Sequence, residues 1–199
     1  MKKLVLASNN PGKLREIRAL LAGADFAVVA QGELGIPETE EPFDSFVENA
    51  LAKARHASAA AGLPALADDS GLCVPSLGGE PGVHSAYYAG REGDREARDA
   101  RNNAKLLESL AGKDRRAYYA CVMTLVRNEA DARPIVAEGR WHGEIASAPR
   151  GANGFGYDPL FFLPEHGRTA AELDPETKNR ISHRGAALRA LLEALREWK

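Results

Sequence analysis

The sequence predicts an α/β protein, a mixed sheet with flanking helices, on three observations. Short apolar runs bounded by polar residues recur at 4–7, 63–67 and 160–163, the pattern of strands buried on both faces. Between them lie segments whose apolar residues return at helical spacing and stop on glycine, at Gly23, Gly62 and Gly112. Two longer strand-rich stretches, 117–126 and 135–146, follow one another directly, as the arms of a hairpin across 127–134.

Taken in order, the strand at 4–7 gives way at Asn10-Pro11, where Asn10 is the N-cap and Pro11 the first helical residue. Leu14, Ile17, Leu20 and Leu21 share one face of that helix. A strand at 26–30 leads into a Gly/Pro/Glu-rich loop at 32–43, acidic at Glu38, Glu40 and Glu41. A helix from 44 to 61 turns Phe46, Val47, Ala50, Leu51 and Ala54 inward. The strand at 63–67 ends at Asp68-Asp69-Ser70-Gly71, and Gly78-Gly79 and Pro81-Gly82 mark turns. A charged helix at 94–110 has Ala104, Leu106, Leu107 and Leu110 as its apolar residues. Residues 149–158 are Gly-rich, and a last helix at 184–198 buries Leu188, Leu191, Leu192 and Leu195. Tyr87, Tyr88, Trp141 and Trp198 belong to the core or an interface. No repeat or long linker interrupts residues 1–199, which predicts a single domain whose lobes share one core.

Composition narrows the function. The 199 residues carry a net charge of −2. They lack the basic excess on which sequence-independent nucleic-acid binding draws, so nucleic acid is not an expected partner and any anion must be held by a local cluster. Cys73 and Cys121 sit in apolar stretches without a CxxC pattern, which argues against a disulfide scaffold or zinc site and for a reducing compartment. No run approaches the ~20 apolar residues that a bilayer requires. The basic start Met1-Lys2-Lys3 leads into an apolar run too short for a secretory signal. A cytoplasmic protein with no membrane partner is expected.

Four segments carry candidate chemistry. Ser8-Asn9-Asn10-Pro11-Gly12-Lys13 joins a strand to a helix, where open N–H groups and the Lys13 charge favour an anion. GxxxxGK[ST] is absent, so this is not a P-loop. Asp68 and Asp69 are adjacent carboxylates, which repel unless a cation is near. Mg²⁺ takes such oxygens, and a carboxylate beside an attacking water can accept its proton. Glu40 or Glu41 could add a metal ligand, and Asn49 and Lys53 share one helical face. In Gly154-Phe155-Gly156-Tyr157-Asp158, glycines flank a ring able to stack on a base. Lys178, His183 and Arg184 gather before the last helix, against its dipole, as donors suited to a ligand, with Ser182 available as its N-cap.

Six motifs occur in order: Ser8-Asn9-Asn10-Pro11-Gly12-Lys13; Phe46-Val47-Glu48-Asn49-Ala50 with Lys53-Ala54; Ala67-Asp68-Asp69-Ser70-Gly71-Leu72; Gly78-Gly79-Glu80-Pro81-Gly82; Gly154-Phe155-Gly156-Tyr157-Asp158-Pro159; and Ser182-His183-Arg184. Together they closely resemble the inosine triphosphate pyrophosphatase family, in its bacterial dITP/XTP branch, over residues 4 to 195. Ser8 stands where members often have threonine, and it keeps the hydroxyl. The resemblance implies an elongated mixed sheet with two lobes around a central cleft, and a homodimer. It implies Mg²⁺-dependent cleavage of a purine nucleoside triphosphate (ITP, dITP or XTP) to the monophosphate and pyrophosphate, which cleanses the nucleotide pool.

The resemblance also implies roles. Ser8, Asn9, Asn10, Pro11, Gly12 and Lys13, with Lys53, hold the triphosphate. Asp69 is the general base and a Mg²⁺ ligand, supported by Asp68, with Glu40 or Glu41 as the second carboxylate at the metal. Ser70 touches the substrate. Phe155, Gly156, Tyr157 and Asp158 form the base pocket with Lys178, His183 and Arg184, whose donors suit the O6 acceptor of hypoxanthine and xanthine and leave the N6 donor of adenine unpaired. Two alternatives share this equipment: a Maf-like pyrophosphatase, against which the Ser182-His183-Arg184 ending speaks, and a non-catalytic Mg-nucleotide sensor, which lacks turnover.

Overall fold

The computed structural model describes residues 2–196; Trp198 and the end of the helix expected at 184–198 lie outside the described residues. The elements are β1 (Lys2–Leu6), α1 (Pro11–Leu21), β2 (Phe26–Ala30), α2 (Phe46–Ala61), β3 (Ala65–Cys73), α3 (Arg95–Ser109), β4 (Arg116–Val126), β5 (Ile135–Ile145), β6 (Phe161–Leu163), β7 (Arg168–Thr169), α4 (Pro175–Ile181) and α5 (His183–Leu195). Among the described residues the strands form a seven-stranded sheet in the order β2-β1-β3-β4-β5-β6-β7. β1 runs parallel to β2 and β3, with Val5 opposite Val29 on one side and Ala65 on the other. The β5–β6 and β6–β7 pairs are antiparallel. The sheet is therefore mixed, with flanking helices, as the sequence predicts.

The chain divides into two compact units. Unit 1 contains the residues up to Asp69, Cys121–Gly139, and those from His183 onward; unit 2 contains Ser70–Ala120 and Arg140–Ser182. β3, β4 and β5 each pass from one unit to the other.

The strand period of two builds the layers of unit 1. Leu4, Leu6 and Leu66 pack with Ile17 and Leu21 of α1 and Leu188 and Leu191 of α5. The intervening Val5, Ala7, Ala65 and Ala67 face the other way and pack with Ala54 and Ala57 of α2. Leu192 and Leu195 of α5 complete the first layer from its half-buried edge. In unit 2 the core gathers around Phe161, whose ring lies 4.7 Å from that of Tyr119 and 5.2 Å from that of Trp141. Leu106 and Leu110 of α3 and Tyr157 join the same cluster.

Several boundaries differ from the sequence reading. β3 does not end before the aspartates: it runs through Asp68 and Asp69 to Cys73. Beyond them Leu72 is buried, and Gly71 admits a close neighbour, since an added Cβ would fall 2.2 Å from the Gly82 carbonyl oxygen. α2 begins at Phe46, where the Ser45 hydroxyl accepts from the Glu48 amide, and it exposes Val47 while burying Asn49. Asp174 and Pro175 open α4, a helix absent from the sequence reading; the Asp174 carboxylate caps the Thr177 amide at 2.8 Å. Ser182 closes α4, its amide donating to the Lys178 carbonyl at 2.9 Å, and stands in extended conformation directly before α5, at the N-cap position.

Gly139 of β5 supports α5 by direct backbone contact. An added Cβ would lie 2.2 Å from the His183 carbonyl oxygen and 2.4 Å from the Ala187 nitrogen. Gly139→Ala is expected to cost about 1–3 kcal/mol by overpacking. The measurement is the denaturant midpoint at constant m-value; an unchanged midpoint would show that α5 yields without penalty.

Candidate active site

Asp68 and Asp69 are consecutive in β3, so their side chains leave opposite faces of the sheet and meet different helices. Asp68 shares the face of Leu66, against α1 and α5. Its Oδ2 lies 2.9 Å from Lys13 Nζ and 3.3 Å from a terminal nitrogen of Arg184. The other terminal nitrogen of Arg184 pairs with Glu16 of α1. Asp68 and Arg184 are each only 1% exposed. Burial works against the Asp68 charge, but Lys13 and Arg184 outweigh it and hold the carboxyl well below the usual carboxylate range. Burial likewise opposes the Arg184 charge, and Asp68 and Glu16 more than restore it.

Asp69 shares the face of Ala67, against α2. Lys53 Nζ donates to its Oδ1 at 3.0 Å, and Asn49 Nδ2 to its Oδ2 at 3.3 Å. Lys53 also donates to Glu41 Oε1 at 2.6 Å. Asn49 exchanges two hydrogen bonds with the Phe43 backbone, at 3.0 and 3.1 Å, which fixes the acidic loop two residues beyond Glu41. Burial is the largest influence on Asp69 and pushes its pKa up; Lys53 and Lys13 offset this only in part. Burial disfavours the Lys53 charge as well, but Asp69 and Glu41 overcome it and raise its pKa. Of the two neighbouring aspartates, Asp68 is thus locked as an anion and Asp69 is the stronger base.

The start of α1 is already partly satisfied. Asn10 Oδ1 accepts from the Gly12 and Lys13 amides at 3.0 and 3.2 Å, and the Ser8 hydroxyl oxygen accepts from the Asn10 amide at 3.2 Å. Two N–H groups expected to be open for an anion are therefore capped, and Lys13 supplies the local positive charge. Asn9 is exposed beside Gly32, Pro11 is exposed, and Gly12 is buried in the helix start. Glu40 is exposed, while Glu41 is the acidic-loop residue that reaches Lys53. Among the described residues no three His, Cys, Asp or Glu side chains form a ready metal cage. Mg²⁺ usually binds through one or two carboxylates together with substrate phosphates and water, and the Asp69–Glu41 pair, bridged by Lys53, fits that requirement.

Unit 2 carries the glycine-flanked turn. Asp158 Oδ2 accepts from the Phe155 amide at 2.8 Å and from Lys178 Nζ at 2.6 Å, and its Oδ1 accepts from the Tyr119 hydroxyl at 3.4 Å. Gly154 has φ +77°, and an added Cβ would meet Asp158 Oδ2 at 2.1 Å, so only glycine fits there. The half-buried Phe155 ring has Lys178 Nζ 5.0 Å and the Arg95 guanidinium carbon 4.8 Å from its centroid. Tyr157 turns into the core instead of toward a ligand: it is 3% exposed, and its hydroxyl donates to the Ser85 carbonyl at 2.9 Å. Ser70 is half-buried next to Asp69 in β3.

Lys178 belongs to unit 2 and pairs with Asp158, whereas His183 and Arg184 belong to unit 1 and are buried there. Sequence reasoning passed over Glu16, although it follows Lys13 by one helical turn. It also passed over Arg95, Asp99 and Asn103, which read as solvated residues of a charged helix.

These two clusters define the class: an α/β protein with an ion-locked carboxylate pair on one strand and a ring-presenting turn backed by a lysine. The chain belongs to the Ham1 family, which it matches over residues 4–194. It is 64% identical over 196 residues to the dITP/XTP pyrophosphatase of Burkholderia pseudomallei, covering 98% of this chain and 94% of that protein. It is 61% identical over 197 residues to the dITP/XTP pyrophosphatase of Ralstonia nicotianae, covering 98% of each. A HAM1 protein from Coxiella burnetii is similar in structure at a TM-score of 0.90 and 50% identity, over 99% of this chain and 100% of that one. The nucleoside-triphosphatase / dITP/XTP pyrophosphatase of Mycobacterium abscessus aligns at a TM-score of 0.73 and 45% identity, over 96% and 98% of the two chains.

Asp68 makes stability depend on acid. Its folded pKa lies below the unfolded value of 3.8, so its ionisation stabilises the fold above that pH, and the contribution is lost as pH falls through the folded value. Asp68→Asn is expected to lose about 3–5 kcal/mol at neutral pH, the cost of leaving buried cations unpaired. The gap to wild type should narrow in acid. Denaturant midpoints across the acid range check this, and a gap independent of pH would assign the acid sensitivity elsewhere.

Proposed function

We propose that this protein hydrolyses the anhydride between the α and β phosphates of non-standard purine nucleoside triphosphates (dITP, XTP and ITP), releasing the monophosphate and pyrophosphate and so cleansing the nucleotide pool. One observation carries the mechanism: Asp69 is a buried carboxylate made more basic by its surroundings and oriented through both oxygens by Lys53 and Asn49. The identity of 64% and 61% to dITP/XTP pyrophosphatases over nearly the whole chain supports the substrate class.

Asp69 orients the attacking water and takes its proton as the water oxygen bonds to phosphorus. The anhydride bond breaks, and pyrophosphate leaves with the electron pair. Lys13 and Lys53, paired with the two aspartates, share their positive charge with the incoming triphosphate. Ser8 and the start of α1 bind alongside them. Asp69 and Glu41 would hold Mg²⁺, which supplies neutralisation of phosphate charge. Asp68, kept ionised by Arg184, fixes Lys13. The Phe155 ring stacks on the base, and Lys178, a donor without acceptor capacity, serves the O6 of hypoxanthine or xanthine and not the N6 amine of adenine. Both terminal nitrogens of Arg184 engage carboxylates, so its role moves from reading the base to setting Asp68. A cytoplasmic homodimer accompanies this reading; among the described residues no helix is long and apolar enough to cross a membrane.

Pyrophosphate release from dITP, XTP, ITP and the standard triphosphates, with and without Mg²⁺, tests the function. Mg²⁺-dependent turnover confined largely to the first three is expected, and its absence would sink the proposal. Asp69→Asn should lower kcat by at least ~10²-fold, the lower range for a general base, with an unaltered circular dichroism spectrum. Near-normal turnover in this variant would remove Asp69 from the chemistry.

Arg184 and Lys178 should separate by substrate. Arg184→Ala is expected to lower kcat/KM for dITP and dATP by similar factors. Lys178→Met is expected to lower it for dITP alone, shrinking the dITP-to-dATP ratio roughly ten- to a hundredfold, as for the loss of a charged hydrogen bond. A selective dITP defect in Arg184→Ala would return that residue to the base.

A further inference from the structure

The Phe155 turn is held from a direction that its own motif does not reveal. Gly156 is gripped at both ends of its backbone by α3. Its amide donates to Asp99 Oδ2 at 2.9 Å, and its carbonyl accepts from Asn103 Nδ2 at 2.9 Å. Asn103 Nδ2 also donates to the Asp99 carbonyl at 2.7 Å. Facing two carbonyl oxygens, the Asn103 amide can present only its NH₂ group there, which fixes its orientation. Asp99 and Asn103 are four residues apart, so one helical face carries both contacts.

The same face reaches the ring. Arg95, one turn before Asp99, lies 3.8 Å from its carboxylate and places its guanidinium carbon 4.8 Å from the Phe155 centroid. Asp99 therefore holds the peptide that follows Phe155 and also the cation on its ring. On the other side of the turn, Asp158 holds the Phe155 amide at 2.8 Å and Lys178. A glycine at φ +63° would otherwise leave this peptide freer than any other residue type. Two hydrogen bonds from a helix are a means of removing that freedom before a ligand arrives.

We infer that Asp99 and Asn103 are positioning residues for base recognition: they lock the Gly156 peptide and so preset the Phe155 ring on which a purine stacks. This rests on the function proposed above, in which Phe155 meets the base. The clamp acts on the ring end of the substrate and leaves the phosphate end to other residues. Its loss should thus weaken nucleotides and spare a ligand that has phosphates but no base.

The test compares wild type with Asp99→Ala, Asp99→Asn and Asn103→Ala, using KM and kcat for dITP and the inhibition constant of inorganic triphosphate. Asp99→Ala and Asn103→Ala are expected to raise the dITP KM about tenfold, with a much smaller fall in kcat and no change in triphosphate inhibition. Asp99→Asn retains an acceptor for the Gly156 amide and should recover most of the KM. Parallel losses for dITP and inorganic triphosphate, or a dITP KM unchanged in folded Asp99→Ala, would overturn the clamp alone. A wild-type protein that fails to turn over dITP would overturn the function itself and the clamp with it.

Discussion

The buried negative charge of Asp68 is the constraint on which unit 1 depends. An ion that is 1% exposed must be matched by opposite charge, and the match comes from Lys13 on α1 and Arg184 on α5. Arg184 then needs a further anion, and Glu16 on α1 supplies it. The ion network therefore joins the two helices that cover one face of the sheet. Each member is buried or nearly so, and removal of any one leaves the others uncompensated.

The neighbouring position inherits the opposite character from the pleat of the strand. Asp69 points to the α2 face, where Lys53 is divided between two carboxylates and Asn49 spends much of its capacity on the Phe43 backbone. Partial neutralisation leaves burial as the dominant influence, and the carboxyl becomes more basic. Two aspartates one residue apart acquire distinct chemistry without any difference in side chain. A fixed anion that organises cations sits beside a base that can exchange a proton, a division set by environment alone.

Unit 2 repeats the principle with another cast. Asp158, 2% exposed, gathers Lys178, the Phe155 amide and the Tyr119 hydroxyl. The carboxylate shapes the turn and keeps an ammonium beside an aromatic ring. Tyr157 plugs the turn into the core from below, and α3 grips it at Gly156. Ring, cation and backbone are held from several elements, which leaves the turn little freedom to rearrange.

By itself the sequence determined the class of fold and most elements, and it nominated the residues of the candidate site. Apolar runs, the Asn10-Pro11 helix start and the stop glycines are local signals, and local signals survive without tertiary context. The ordered motifs also singled out Asp69, Lys13, Lys53, Phe155 and Lys178 as candidates. The tertiary structure decided the rest, because it turned on which partner neutralises which charge. Asp68-Asp69 resembles the end of a strand until Lys13, Arg184 and Lys53 make burial of both charges tolerable. Arg184 gives no sign in the sequence of its buried ion pairs until Glu16, 168 residues away, arrives against one of its nitrogens. Asp99 and Asn103 resemble solvent-facing helix residues until the Gly156 peptide, 57 and 53 residues further on, arrives against them. Long-range electrostatic pairing leaves no periodic trace in a sequence, and only the folded chain brings the partners within hydrogen-bonding distance.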